Sequence, residues 1–202
     1  LLALIIGFSF SIAIDRYEQR RDYEEAEAKA IGTEYVRADF LASTDAAKVR
    51  VLLRNYLAQR ILFYTSSSAR RLRQIDWDTA QLQADLWSAV QVPAAAKPTP
   101  VMALVVSGMN DVLNSQGYTQ AAYWNRIPRG EWGLMTVIAI FSNLLVGYGS
   151  RRGENERILL IALPLIVSIS FILIADIDTP RGGFIHVPPV NLESLARSLQ
   201  AR

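Results

Sequence analysis

Two uninterrupted apolar runs toward the C-terminal end decide what this chain can fold into. Ile158 to Ala175, "ILLIALPLIVSISFILIA", carries no charge over about 18 residues, close to the length needed to cross the hydrocarbon core of a bilayer. Trp132 to Tyr148, "WGLMTVIAIFSNLLVGY", is similar and has an amphipathic ring at each end, where Trp and Tyr favour the membrane–water interface. A buried core helix also reads as an apolar run. Two in succession, joined only by the short charged loop "GSRRGENER", argue instead for a transmembrane hairpin. A third apolar stretch, "LLALIIGFSFSIAI" from Leu1 to Ile14, is too short to span alone. It opens the chain without an initiator Met, so an upstream span is expected to be missing. A cleaved signal peptide fits this end less well, because the charged helix that follows offers no small-x-small cleavage site.

The overall apolar content of 51% is ordinary; its concentration at the two ends of the 202 residues is not. The formal charge of +2 comes from basic residues scattered among acids, which argues against a nucleic-acid partner. With no cysteine, disulfides, thiol catalysis and Cys-based zinc sites are excluded. His186 is the single histidine and has no Asp, Glu or His at ligand spacing, so it reads as structural or exposed. No Gly-rich phosphate loop, HExxH or GxSxG motif is present, and the chain does not read as an enzyme.

The residues between the apolar ends read as all-helical. "DRYEQRRDYEEAEAKAIGTEYVRADFLA" lacks proline, so the first span is expected to continue as one long helix into water, weakened at Gly32. Ser43, Thr44 and Asp45 form a break and an N-cap. In the next helix Val49, Leu52, Leu53, Tyr56, Leu57, Ile61 and Tyr64 follow helical spacing and give one apolar face. After the polar "TSSSARR" a further helix runs to about Val90, with Leu72, Ile75, Leu82, Leu86 and Ala89 on one side. "VPAAAKPTP" reads as a linker, and Thr99–Pro100 as the cap and first position of a helix carrying Val101, Val105, Met109, Val112 and Leu113. Pro128 marks the joint into the second span, because the residue before a proline is pushed out of helical geometry.

The fold class is therefore all-α: a polytopic helical membrane protein with a helical soluble domain inserted between transmembrane hairpins. Its expected segments are a truncated span at residues 1–14, the soluble domain at 15–130, a transmembrane hairpin at 131–175, and a tail at 176–202 with a short amphipathic helix. Arg16, Arg20, Arg21, Arg126, Arg129 and Arg181 outnumber Arg151, Arg152 and Arg157 of the hairpin loop. The positive-inside rule then puts the soluble domain in the cytoplasm.

The spans carry two kinds of stripe. Ala3, Gly7 and Ser11 recur every fourth residue, a small-residue face that lets helix backbones approach closely. Thr136, Ala139, Asn143 and Gly147 form a comparable stripe, and the Asn143 amide must find partners inside the hydrocarbon. Such stripes serve either as helix–helix glue or as the wall of a water-filled path. Leu4, Phe8 and Ile12 make a bulky stripe that faces lipid or forms an apolar constriction gating by dewetting.

"DRYEQRR…EAEAKAIGTEYVRADFL", "NRIPRGEW" leading into a span, and "LIADIDTPRGGFIHV" after the last span resemble the bestrophin-like family of bacterial and plant membrane proteins. The resemblance covers nearly the whole chain. Its most specific elements are Arg126, Ile127 and Pro128 with Trp132, and Asp176, Asp178, Pro180 and Gly183. Arg181 departs from the pattern, since family members often place an aromatic there. The resemblance implies four spans in two hairpins around a helical soluble region. Through distant similarity to bestrophins it further implies a pentameric anion channel whose pore is lined by the span matching Leu1 to Ile14. Bestrophins of animals are calcium-activated, with an acidic cluster directly after the last span, where Asp176 and Asp178 stand here.

Two carboxylates are few for calcium, which takes six to eight oxygens. A second reading of Asp176 and Asp178 is an ion clamp at the membrane interface with Arg16, Arg20 and Arg181, because an acid near a helix end needs a basic partner. A third is a charged vestibule for ions. In a turn before Thr179–Pro180, Asp178 can also accept backbone N–H bonds. Two functions follow: a homo-oligomeric ion channel embedded in lipid, or a non-conducting membrane scaffold or accessory subunit whose helical domain binds a partner protein.

Overall fold

The computed structural model describes residues 2–149 and 154–200. The described residues form helices and connecting turns, with no strand among them. In chain order the helices are α1 (Leu2–Arg37), α2 (Ser43–Thr65), α3 (Ala69–Ala96), α4 (Pro100–Trp124), α5 (Arg129–Gly149), α6 (Glu154–Asp178) and α7 (Val190–Gln200). The Ala38–Phe40 segment is a single 3₁₀ turn. Arg151 and Arg152 of the expected hairpin turn lie outside the described residues.

The chain divides into two units, one of Leu1–Glu18 and Trp124–His186, the other of Gln19–Tyr123 and Val187–Arg202. In the first unit α5 and α6 pair antiparallel. Trp132, at the start of α5, meets Phe171 near the end of α6 edge-to-face at 6.3 Å between centroids. At the other end Gly147 lies against Leu160, 4.0 Å from a notional Cβ. Ala13, Ile127, Ile174 and Ile177 form the buried cluster of this unit, flanked by Ile6, Ile14, Tyr17 and Trp132. Two apolar helical stretches are long enough to cross a bilayer, one within Pro100–Tyr148 and the other Leu160–Asp178. Only 11% and 17% of their apolar windows are buried. A core helix would be mostly covered, so this exposure suits lipid as the surrounding solvent.

In the second unit α2, α3, α4 and α7 pack with the later part of α1. Leu53, Leu86, Met109 and Leu192 are fully buried, each contributing about 1.5–3 kcal/mol in area terms. The buried stripe of α1 is unusual in composition. Arg20, Glu24, Glu27, Ala28, Ile31 and Glu34 follow helical spacing and are all buried, so charged groups occupy positions where an amphipathic pattern puts apolar ones.

Several local expectations need correction. Ala42, in extended conformation, precedes α2, and no side chain caps that helix; the chain has already turned at Ala38–Phe40, so Ser43 is helical and cannot serve as the cap. The α3 helix does not stop at Val90 but runs through Pro93 to Ala96. Pro93 lies in the last turn, where its carbonyl still accepts the Lys97 N–H at 3.1 Å. Gly32 does not interrupt α1; Leu195 of α7 packs over it, 3.2 Å from a notional Cβ. At Thr99 the expectation holds: its Oγ1 accepts the Met102 N–H at 3.1 Å and caps α4.

Candidate functional site

The membrane part of α1 has two unlike sides. Toward its own unit, Ser9 donates to the Met135 sulfur at 3.0 Å and Ala13 is fully buried. On the other side Leu4 and Phe8 are 59% and 63% exposed, and Ile12 is exposed as well. Ala3, Gly7 and Ser11 lie on this open side too. A Cβ at Gly7 would meet nothing within 4 Å, so the close approach a small residue permits is not used there within the chain.

On α5, Thr136 donates to the Trp132 carbonyl at 2.8 Å, and the Asn143 Nδ2 donates to the Ala139 carbonyl at 2.8 Å. Both use their own helix to satisfy polar hydrogens where water is scarce. The Asn143 Oδ1 is buried without a hydrogen-bond partner among the described residues. Thr136, Asn143 and Gly147 line one wall of a groove of about 720 Å³, with Pro164, Ser168 and Phe171 of α6 opposite.

The α6 helix does not end before the acids. It includes Asp176 and Asp178 in its last turn, where the helix dipole disfavours negative charge. Each carboxylate is compensated by donors from elsewhere in the unit. Asp178 accepts the Ile127 N–H with both oxygens at 3.1 Å, and Arg16 Nη1 reaches its Oδ1 at 3.3 Å. Ile127 has this N–H to offer because Pro128 follows it and breaks the helix between Trp124 and Arg129. Asp178 thus binds a distant loop rather than its own turn, contrary to the expectation. The local turn falls to Asp176, whose Oδ1 accepts the Phe184 N–H at 2.7 Å and whose Oδ2 accepts the Ile185 N–H at 2.8 Å. Gly183 makes this possible: a Cβ there would lie 2.6 Å from both the Asp176 carbonyl oxygen and Oδ1.

Among the expected clamp residues, Arg16 pairs with Asp178. Arg20 is 2% exposed and belongs to the second unit; Arg181 is half-buried in the first. His186 is exposed. All four carboxylate oxygens of the two acids face N–H donors or a guanidinium. No group of three or more His, Cys, Asp or Glu able to hold a metal occurs among the described residues.

Sequence reasoning missed a polar cluster in the second unit. Glu27 and Arg60, both fully buried, form an ion pair. Tyr64 and Thr119 donate to Glu27 Oε2 at 3.3 and 3.2 Å, and the Arg60 guanidinium lies 4.4 Å over the Phe63 ring. Burial, the largest single influence, would lower the Arg60 pKa, but Glu27, Tyr56 and Tyr64 together outweigh it and the net shift is upward. A second buried acid, Glu34, is pushed up to about 8, first by burial, with Asp111 adding to the shift and Arg37 opposing it. Neither Glu34 oxygen has a hydrogen-bond partner among the described residues. Helix α4 comes so close here that a Cβ at Gly108 would collide with Glu34 Oε2 and Arg37 Nη1.

An all-helical chain with two unburied bilayer-length helices and an ion-paired junction at the end of the second is an integral membrane protein. Its sequence matches the bestrophin-like domain model over residues 1–192, and the chain belongs to the bestrophin-like family. Its fold is similar to crystal structures of a bacterial bestrophin homologue from Klebsiella pneumoniae. For one point variant the TM-score is 0.78 at 11% identity, covering 99% of this chain and 83% of that one. Another crystal structure of the Klebsiella homologue gives 0.73 at 14% identity, with 99% and 82% covered. A crystal structure of a membrane protein variant gives 0.76 at 12% identity, again with 99% and 82% covered. A search of curated proteins by sequence found no match.

Proposed function

We propose that the chain is one subunit of a homo-oligomeric ion channel, with the membrane part of α1 lining a shared axial path. The observation that carries this reading is the unpartnered side of α1. Leu4, Phe8 and Ile12 are exposed while Ser9 and Ala13 on the reverse are packed. Helix association in lipid relies on close packing and hydrogen bonding, and Ala3, Gly7 and Ser11 give neighbouring copies room to approach. In this arrangement the bulky stripe is an apolar constriction that conducts when wetted, and Thr136, Asn143 and Gly147 pack helices around it. Family membership supports a pentamer and anions as the permeant species. The excess of arginine at Arg16, Arg20, Arg21, Arg126, Arg129 and Arg181 supports a cytoplasmic second unit in a bacterial inner membrane. The Arg16–Asp178 pair, with Asp176 and Arg181 nearby in sequence, clamps the span ends at the interface.

Current recording from purified protein in planar bilayers tests the reading. Discrete conductance is expected, and Phe8→Ala is expected to raise it by widening the constriction. Well-folded protein that leaves the bilayer silent would reject the channel in favour of a scaffold that recruits a partner protein through its helical unit.

A further inference from the structure

The segment Thr179 to Ile185 is tightly organised around a side chain that touches almost nothing. Asp176 fixes two consecutive backbone N–H groups, those of Phe184 and Ile185, at 2.7 and 2.8 Å. Thr179 continues the hydrogen bonding of α6, its N–H 3.1 Å from the Ala175 carbonyl. Gly183 is pressed so close to Asp176 that no larger residue fits without movement. Yet Phe184 is 98% exposed. A loop held by a bidentate carboxylate has little freedom to withdraw that ring, so the exposure is built in rather than incidental.

The height of the ring indicates what covers it. The Phe184 N–H bonds to a side chain of the last turn of α6, so the loop folds back to the level at which this span leaves the hydrocarbon. One to two turns earlier on the same helix, Ile169 and Ile172 are exposed on a membrane-spanning stretch. An aromatic ring at that level, continuous with a lipid-exposed helix, matches the boundary between headgroups and acyl chains, into which Phe, Trp and Leu side chains of surface anchors bury. We infer that the Thr179–Ile185 loop is a preset interfacial anchor that inserts Phe184 into the bilayer boundary and so fixes the depth of α6. This holds whether or not the assembly conducts.

Because the chain has no cysteine, a single Phe184→Cys substitution takes a nitroxide label at this position only. The whole protein is reconstituted in phosphatidylcholine/phosphatidylglycerol vesicles, and label collisions with oxygen and with a water-soluble nickel chelate are compared. Gln81→Cys, exposed in the second unit, serves as the water reference. The expected result is an oxygen-to-nickel accessibility ratio severalfold above that at Gln81. A ratio equal to that at Gln81 would place the ring in water and overturn the inference. Shielding from both reagents would put it against protein, such as a second copy, and would overturn it equally. Adding Gly183→Ala to the labelled chain should disturb the Asp176 contacts and move the label toward nickel access.

Discussion

Arg16 and Asp178, 162 residues apart, form a largely buried ion pair at 3.3 Å whose acid also holds the Ile127 N–H. One carboxylate therefore ties the first helix, the α4–α5 connection and the end of α6 together. Asp178→Ala removes all of these bonds and leaves a buried N–H and a half-sequestered guanidinium. The expected cost is about 1–3 kcal/mol for each group left unsatisfied. Asp178→Asn keeps an acceptor for Ile127 and should lose less. Thermal unfolding in mild detergent, with Arg16→Met and the double variant completing a cycle, would check this order.

Glu27 and Arg60 carry the same logic into a fully enclosed setting. Arg60→Met leaves Glu27 with only the hydroxyls of Tyr64 and Thr119, and breaking a buried pair costs about 3–5 kcal/mol. Glu27→Gln combined with Arg60→Met removes both charges and should recover a good part of the loss. Denaturant melts followed by helicity would show the double variant above Arg60→Met. The opposite order would mean that the charges do not act as a pair.

Glu34 makes stability depend on pH. Its carboxyl is raised from 4.5 to about 8, chiefly by burial. Below pH 4.5 folded and unfolded chains both keep the proton, and the group imposes no penalty. Between 4.5 and about 8 the unfolded chain has released it while the folded chain retains it, so stability falls as pH rises; above about 8 the loss levels off. Melting midpoints across pH 5 to 9 should show a decline that Glu34→Gln reduces. Gly108→Ala places a methyl where Glu34 Oε2 and Arg37 Nη1 lie, so both side-chain ends must swing aside.

Glu24 supplies the cap of α7. Its Oε1 accepts the N–H groups of Asn191 and Leu192 at 2.9 Å each, and its Oε2 accepts the Asn191 amide at 2.6 Å. Glu24→Ala should cost about 1–2 kcal/mol, in the upper range for a lost N-cap. Limited proteolysis should then cut first near Val190, whereas the parent chain resists at that site.

The helices were legible because long apolar runs and Pro128 leave few alternatives, and the Thr99 cap could be read for the same local reason. The buried charges were not. A search for apolar periodicity skips Arg60, although it sits between Leu57 and Tyr64 on the inner face of α2. It also skips Glu24, Glu27 and Glu34, whose three- and seven-residue spacing marks a buried face as surely as leucine would. Asp178 was legible as an acid needing a base; its bond to Ile127 depends on a long-range contact that no local pattern reports. The α3 boundary was misjudged because Pro93 forgoes only its own N–H bond, while its carbonyl still accepts the Lys97 N–H and the helix runs one turn further.

The Glu24 contacts also bear on how the protein is made. During synthesis the ribosome releases this acid 167 residues before its partner Asn191. Until that partner emerges, the carboxylate lacks the donors that Asn191 and Leu192 supply in the folded unit. Final closure around Glu24 therefore waits until translation has passed α5 and α6, which precede Asn191 in the chain.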